Sequence, residues 1–305
     1  MNHVAKRTLT GMATGLLVIG LFLYCPMRAL LPVVLMLSSL LQLEFYGLVR
    51  KSKPVVWLGL LIGCVYLMGT GLYGFDYGTI VAPICFTLSL PLVAAVVSLV
   101  VMFDSSRDDP VASIASTLFG VLYVPFLVSF FLLVVQLTGS GFWGGHSEHV
   151  WSRTGLYTLL ALVATAKLSD TGGFAFGLAF GKHKMCPSIS PKKSWEGLLG
   201  SVVFASITMC AFYALSLKFD WAREIPAWGF LSYPTAAAAG GVMAVVATLG
   251  DLVESRFKRA AGVKDSSSFM PAGIGGFLDM LDSVMFMPAL LFPVLGYHFF
   301  LVLFV

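Results

Sequence analysis

Charged residues are scarce in this chain. Asp, Glu, Lys and Arg together make up 11% of its 305 residues, whereas about a quarter of an ordinary soluble domain is charged. Hydrophobic residues make up 58%, which is more than the core of a soluble protein of this length could bury. This composition excludes the usual soluble enzymes and binding modules. It predicts an all-α, polytopic integral membrane protein.

Cysteines are also few, and their number is odd. The chain has five, without any CxxC pair. Most of them lie inside apolar runs, so neither a disulfide framework nor a zinc site is indicated, and the cysteines are interpreted as packing residues. No low-complexity tract and no clear internal repeat is present.

Long apolar runs are what the sequence does contain. A bilayer is crossed by about 20 apolar residues in a helix, and runs of this length predict about nine spans. The first follows Lys6 and Arg7 like a signal peptide, but no small-x-small cleavage site comes after it, so it is predicted to be a retained helix. The spans lie roughly at residues 8–25, 29–49, 55–73, 79–103, 112–138, 154–178, 198–217, 234–255 and 283–304.

The basic residues predict how these spans are oriented. Most of the 19 Lys and Arg residues fall on one side of the membrane if the N-terminus is inside. We therefore expect a multi-pass protein of the cell (inner) membrane, with the active site on the cytoplasmic side. The net charge of +4 then reflects topology, and no nucleic-acid partner is expected. Residues 1–150 are predicted to form a transmembrane, lipid-facing scaffold, and residues 151–305 a catalytic transmembrane region with cytoplasmic loops.

Two GxxxG pairs predict close helix packing. They are Gly11 with Gly15 and Gly59 with Gly63. The packing could be within the chain or between chains, so a homodimer is left open.

Ionisable residues inside the predicted spans are candidates for function, because burying a charge in a membrane is costly. All but the first lie in the second half of the chain, near predicted cytoplasmic span ends. The alternative is structural: a lysine paired with a carboxylate between helices, and other side chains that reach water. The residues are Glu44, Lys167, Asp170, Asp251, Glu254, Asp279 and Asp282.

Two stretches place polar side chains on one helical face. In AKLSDTGGFAFG, Lys167 and Asp170 are three residues apart. In GDLVESRFKR, Asp251, Ser255 and Arg259 follow the i, i+4, i+8 pattern and form a polar stripe at the end of a span.

A third stretch, KDSSSFMPAGIGGFLDMLDS, carries Lys264 and Asp265, then a glycine-rich segment, then Asp279 and Asp282 at i, i+3. Carboxylates that converge beside basic groups are typical of Mg²⁺ bound together with substrate phosphates. Phosphoryl or nucleotidyl transfer needs mainly such positioning and charge neutralisation. The sequence therefore predicts chemistry on a phosphorylated substrate at the membrane surface.

The segment PSISPKKSWEG predicts an anion site. Ser190 could cap a helix whose first residue is Pro191. Lys192 and Lys193 would then lie beside the free amides of that helix start and bind a phosphate. The alternative is that both lysines serve only to keep this loop in the cytoplasm.

Four of these stretches resemble a known family. SDTGGFAFG, GKHKMCPSISPKKSWEG, GDLVESRFKRAAGVKDSSS and GGFLDMLDS are similar to the phosphatidate cytidylyltransferases, also called CDP-diacylglycerol synthases. The similarity is close from Ser169 to Ser283 and weaker at LEFYGL. It implies Mg²⁺-dependent transfer of a cytidylyl group from CTP to phosphatidic acid, which releases pyrophosphate and gives CDP-diacylglycerol for phospholipid biosynthesis. A second cation is left open.

The chain departs from the family pattern in its last motif. The usual P-x-H-G-G is PAGIGG here, without histidine and with one additional residue, and the usual D-R-x-D has Met280 in place of arginine. Because Asp279 and Asp282 remain, the metal site is expected to be intact.

The resemblance and the chemistry together assign the candidate site residues. The predicted metal ligands are Asp251, Asp279 and Asp282, and the catalytic set adds Lys264 and Asp265. The predicted substrate-binding residues are Ser188, Ser190, Lys192, Lys193, Ser255, Lys258, Arg259, Asp170 and Lys167.

Two other functions are weighed against this one. A CTP-dependent lipid or polyprenol kinase would need similar groups and would release CDP. A membrane transporter could use Lys167 and Asp170 as an ion relay, but it would be expected to show paired broken helices in two halves.

Overall fold

The computed structural model describes residues 27–76, 81–104, 107–137, 153–219, 228, 231–263, 266 and 276–304. Almost all of these residues are helical, and one small β-hairpin interrupts the helices. The helices before the hairpin are α1 (Met27–Leu48), α2 (Val56–Asp76), α3 (Val81–Met102), α4 (Pro110–Val121), α5 (Leu127–Leu137) and α6 (Arg153–Phe180). Then follow β1 (Lys184–Cys186), β2 (Ser190–Ser194), α7 (Trp195–Ser216), α8 (Tyr233–Ala261) and α9 (Phe277–Phe304).

The helices match the predicted spans closely. A short 3₁₀ turn, Arg50–Ser52, follows α1, and a π-turn, Leu122–Phe126, joins α4 and α5 into one rod that corresponds to the predicted span 112–138. The predicted span 8–25 lies outside the described residues. Each of the other predicted spans has a helix.

Five apolar segments among the described residues are long enough to cross a membrane. The prediction of an all-α, polytopic membrane protein is thereby confirmed, although the count of nine spans is not. The segments are Leu31–Leu48, Pro110–Val135, Tyr157–Phe180, Trp195–Ser216 and Tyr233–Ala261.

The predicted helix start at Ser190 and Pro191 is wrong. Residues Ser190–Ser194 form a strand that pairs antiparallel with Lys184–Cys186, and Pro191 occupies an early strand position where its missing N–H is tolerated. The helix begins later, at Trp195, where the Ser194 hydroxyl accepts a hydrogen bond from the Gly197 amide at 3.1 Å. Lys192 and Lys193 therefore lie on the strand that precedes this helix and not in its first turn.

Helices α6 and α7 pack in close backbone contact because glycines face each other. A Cβ on Gly200 would lie 2.5 Å from the Gly172 carbonyl oxygen and 2.5 Å from Phe176 Cβ. Neither neighbour is the flexible end of a side chain, so the backbone would have to move. This contact aligns the end of α6, the hairpin and the start of α7.

We expect Gly200→Ala to destabilise the protein by about 1–3 kcal/mol, the usual cost of overpacking. The measurement is the thermal midpoint of the purified protein in detergent. Gly69→Ala is the matched control, because nothing lies within 4 Å of a Cβ built at Gly69 on α2. Equal midpoints for the two variants would contradict the close α6–α7 contact.

Two apolar clusters connect the two halves of the chain. One joins Leu41 and Phe45 of α1 to Leu278 and Met285 of α9. The other joins α5 to α6, α8 and α9. Packing therefore crosses residue 150, and the predicted division by role into 1–150 and 151–305 stays a prediction.

The GxxxG pair of α2 packs within the chain. A Cβ on Gly63 would lie 2.8 Å from Gln42 Oε1 and 2.9 Å from Pro125 Cγ, and Gly59 faces the Tyr46 ring. Gly11 and Gly15 lie outside the described residues. A homodimer thus stays a prediction, and the Gly59–Gly63 contacts give it no support.

Candidate functional site

Three carboxylates from two helices meet at the cytoplasmic end predicted for α8. One oxygen each of Asp251, Glu254 and Asp282 lies within 4.8 Å of the others. Glu254 is fully buried, Asp282 is 8% exposed, and Asp251 is half-buried. The helices can approach here because Gly250 has no side chain: a Cβ on it would lie 2.7 Å from the Asp282 carbonyl oxygen.

Two lysines, one from the hairpin and one from α8, contact this cluster. Lys193 Nζ, on β2, lies 2.8 Å from Asp251 Oδ2 and donates to the Thr248 carbonyl at 2.9 Å. Lys258 Nζ, on α8, lies 3.1 Å from Glu254 Oε2 and 2.7 Å from Asp279 Oδ1. The hairpin thus brings Lys193 to a helix more than fifty residues away in sequence.

Asp279 lies beside the cluster, and its oxygens have other partners. Oδ1 accepts from Lys258, and Oδ2 accepts from the backbone amides of Ser266, at 3.1 Å, and Gly276, at 2.8 Å. Asp279 therefore fixes Lys258 and the loop before α9. Ligation of a metal by Asp279 stays a prediction, and Glu254 occupies the third position of the carboxylate group.

Lys167 and Asp170 form a second polar group on α6, next to α9. Their charged atoms are 3.8 Å apart, as the i, i+3 spacing predicts. Lys167 donates to the Met280 carbonyl at 3.1 Å, and Asp170 Oδ2 accepts from the Ser283 hydroxyl at 3.0 Å. Both side chains are about half exposed, so water or a polar headgroup can reach them.

The remaining predicted binding residues lie around the hairpin and the end of α8. Ser255 donates to Asp251 Oδ1 at 3.2 Å, and Arg259 Nε donates to the Ile189 carbonyl at 3.4 Å. Ser188 and Lys192 are exposed and Ser190 is partly buried. Lys264 and Asp265 lie outside the described residues.

The charges of this region fit a divalent cation. With every side chain ionised, the three clustered carboxylates and Asp279 have two lysines beside them, Lys193 and Lys258, which leaves two negative charges in excess within this cluster. Glu254 Oε1 is buried and has no hydrogen-bond partner among the described residues. An orphaned carboxylate oxygen of this kind is costly unless a cation, a proton or a water satisfies it, and oxygen donors are what Mg²⁺ prefers.

Glu44 is a buried residue whose role the sequence did not reveal. It lies on α1, yet it binds the start of α9. Its Oε1 accepts from the Phe277 amide at 3.1 Å, and its Oε2 accepts from the Leu278 amide at 2.9 Å and the Ser266 hydroxyl at 3.4 Å. Free amides at a helix start carry partial positive charge, so a carboxylate stabilises them.

Glu44 and Glu254 are the two residues that sequence reasoning left out of the site. Both were noted as ionisable residues inside apolar spans, and that signal alone could have identified them. Glu254 lies at i, i+4 from Lys258, and these two side chains do pair. Its contact with Asp282, and that of Glu44 with Leu278, form only through the tertiary structure.

Comparison with known proteins identifies the family of this chain. The sequence profile described as the cytidylyltransferase family matches residues 5–298. The phosphatidate cytidylyltransferase of Mycobacterium bovis is 35% identical over 181 residues, which are 59% of this chain and 50% of that protein. The phosphatidate cytidylyltransferase of Haemophilus influenzae is 40% identical over 152 residues, 49% of this chain and 48% of that protein.

A third relative, the phosphatidate cytidylyltransferase of Chlamydia muridarum, is 32% identical over 186 residues, 61% of this chain and 56% of that protein. The matched region thus spans about half the length of these curated relatives. The family profile, in contrast, extends over nearly all of the present sequence. On that match, the chain belongs to the cytidylyltransferase family.

Proposed function

We propose that this chain transfers a cytidylyl group from CTP to phosphatidic acid and releases pyrophosphate. The observation that carries the proposal is the group of Asp251, Glu254 and Asp282 with Lys193 and Lys258 beside it, in a chain of the cytidylyltransferase family. The names of the relatives support the choice of phosphatidic acid as acceptor.

The reaction joins two phosphates. An oxygen of the phosphatidic acid phosphate forms a bond to the α-phosphorus of CTP. The bond from that phosphorus to the bridging oxygen of the β-phosphate breaks, and pyrophosphate leaves with the electron pair. Because a phosphate monoester is largely ionised near neutral pH, the attacking oxygen needs no general base from the protein.

Asp251, Glu254 and Asp282 would hold a divalent cation, which we propose to be Mg²⁺, and Asp279 stays a predicted ligand. When bound, such a cation neutralises phosphate charge and polarises the reacting phosphorus. Lys258 holds Glu254 and Asp279 in place. We leave a second cation as a prediction.

Phosphate binding is proposed for the basic residues around the cluster. Lys193 and Lys258 contact the cluster. Lys192 and Ser190 on β2, and Ser188 between the two strands, are proposed to bind phosphate together with them. Point charges that orient phosphates supply much of what this chemistry needs. The other proposed contacts are Ser255, Arg259, Lys167, Asp170, Lys264 and Asp265.

The orientation predicted from the basic residues is part of the proposal. A site on the cytoplasmic side would receive CTP from water and phosphatidic acid from the membrane. Phe174 and Leu178 of α6 and Leu199 of α7 are 65–78% exposed and would contact acyl chains next to the site. We place the protein in the cell (inner) membrane on this basis.

The test is incubation of the detergent-purified protein with CTP, phosphatidic acid and Mg²⁺. With label in the α-phosphate, we expect the label to move into the organic phase, and only when both lipid and metal are present. With label in the γ-phosphate, the label should stay in the aqueous phase as pyrophosphate. Transfer of the γ-label to lipid would instead indicate a lipid kinase, and no transfer from a folded sample would contradict the proposal.

A further inference from the structure

Tyr123 lies in the π-turn Leu122–Phe126, which joins α4 and α5. A π-turn closes its hydrogen bonds over one residue more than an α-helix does. Pro125, in the same turn, has no N–H to donate, and a π-turn accommodates such an interruption. Turns of this kind are frequent at functional sites because they redirect side chains. The residue comes from the half of the chain in which no site residue was predicted.

The ring of Tyr123 stands between the two helices that carry the carboxylates. Its centroid is 5.5 Å from that of Phe257 on α8 and 5.9 Å from that of Phe286 on α9. Phe257 is three residues after Glu254, and Phe286 is four residues after Asp282. Because residues at these spacings share a helical face, Tyr123 faces the same side of α8 and α9 as the carboxylate group.

The hydroxyl of Tyr123 is an unexplained polar atom. The residue is 3% exposed, and its Oη has no hydrogen-bond partner among the described residues. Glu254 Oε1 is orphaned in the same way. Glu254, Asp282 and Asp251 are all near enough to the Tyr123 hydroxyl to act on it electrostatically.

These two orphaned atoms are complementary, since a phenol donates and a carboxylate oxygen accepts. For packing alone, phenylalanine would fill the same aromatic space without a buried hydroxyl, whose burial is costly when it is unpaired. The rings of Phe257 and Phe286 hold the Tyr123 ring beside the helical faces that carry the acidic group.

We propose that Tyr123 is a positioning residue of the candidate site: its hydroxyl donates a hydrogen bond to one bound water, which in turn donates to Glu254 Oε1 and so orients that carboxylate toward Asp251 and Asp282. This proposal rests on the proposed function, because it assigns Tyr123 to the group that would hold the cation. It extends the site to the N-terminal half of the chain.

The test compares Tyr123→Phe with the unsubstituted protein in two measurements that do not depend on turnover. The first is the affinity for Mn²⁺, used as the probe for a divalent cation and followed by its paramagnetic resonance signal. We expect Tyr123→Phe to weaken Mn²⁺ binding by about tenfold or more, the usual effect of removing a group that orients a metal ligand. The second is the thermal midpoint without metal, which we expect to be unchanged or higher.

Tyr66→Phe is the matched control. The Tyr66 hydroxyl lies 2.9 Å from the Ser129 hydroxyl and pairs with it. Removing it should lower the thermal midpoint and leave Mn²⁺ binding unchanged.

The outcomes separate this proposal from the one on which it rests. If the unsubstituted protein and Tyr123→Phe bind Mn²⁺ equally well, the role of Tyr123 is overturned and the proposed function stands. If the unsubstituted protein binds no Mn²⁺, the metal site is overturned together with the role of Tyr123. A lower thermal midpoint of Tyr123→Phe with unchanged Mn²⁺ binding would show that the hydroxyl has only a structural partner.

Discussion

Replacing Asp251 with asparagine is expected to reduce turnover at least about 100-fold, the scale on which a group that stabilises developing charge contributes. Asparagine has nearly the same size and keeps one acceptor oxygen. Asp251 is also half-buried, and Lys193 retains its hydrogen bond to the Thr248 carbonyl. The variant should therefore fold, and its loss of turnover should come from the missing carboxylate charge and not from misfolding. The measurements are the initial rate at saturating CTP and the affinity for Mn²⁺, and both should fall.

The control is Asp108→Asn, which also removes one carboxylate charge. Asp108 is 90% exposed and pairs with Lys53 at 2.7 Å, in the loop before α4. An exposed ion pair contributes little to stability, so this variant should match the unsubstituted protein in rate and in metal affinity. If Asp251→Asn kept full turnover with Mg²⁺ present, Asp251 could not be a metal ligand.

Regular helical spacing is what made part of the site predictable from the sequence. Lys167 and Asp170, and likewise Asp251 and Ser255, lie close together in the structure because residues three or four apart share a helical face. The length of the apolar runs predicted most helix positions for an equally local reason. Each of these inferences uses only the residues of a single helix and no contact between helices.

The hairpin was missed because its stability depends on two segments. Ser190 followed by Pro191 fits the start of a helix and also the start of a strand. The pairing of Ser190–Ser194 with Lys184–Cys186 decides between the two. Ser194 then caps α7 four residues later than predicted. The displacement matters for function, because it leaves Lys193 on a strand that can reach Asp251.

Glu254 and Glu44 were missed because the contacts that bring them to the site are with residues distant in sequence. Glu254 meets Asp282 only where α8 and α9 pack at Gly250. Glu44 and Phe277, which share a hydrogen bond, are separated by 233 positions. No local period predicts such a contact, so the sequence identified these residues as unusual without showing what they bind.

Replacing Glu44 with alanine is expected to destabilise the protein by roughly 3 kcal/mol or more, because three buried or part-buried donors lose their acceptor and each unsatisfied group costs about 1–3 kcal/mol. The donors are the Phe277 amide, the Leu278 amide and the Ser266 hydroxyl. The first turns of α9 carry Asp279 and Asp282, so disorder at its start should also lower turnover. The measurements are the thermal midpoint in detergent and the rate of cytidylyl transfer.

Glu44→Gln separates the charge of this residue from its hydrogen bonds. Glutamine keeps one acceptor oxygen, but its NH₂ group would face a backbone amide or the Ser266 hydroxyl, so we expect a midpoint between those of the alanine variant and the unsubstituted protein. If the Glu44→Ala variant had the same thermal midpoint and the same rate of cytidylyl transfer as the unsubstituted protein, the contact between α1 and α9 would not position the site. A loss in both measurements, with partial recovery in Glu44→Gln, would mean that a residue of the N-terminal helices fixes the helix on which two of the site's carboxylates lie.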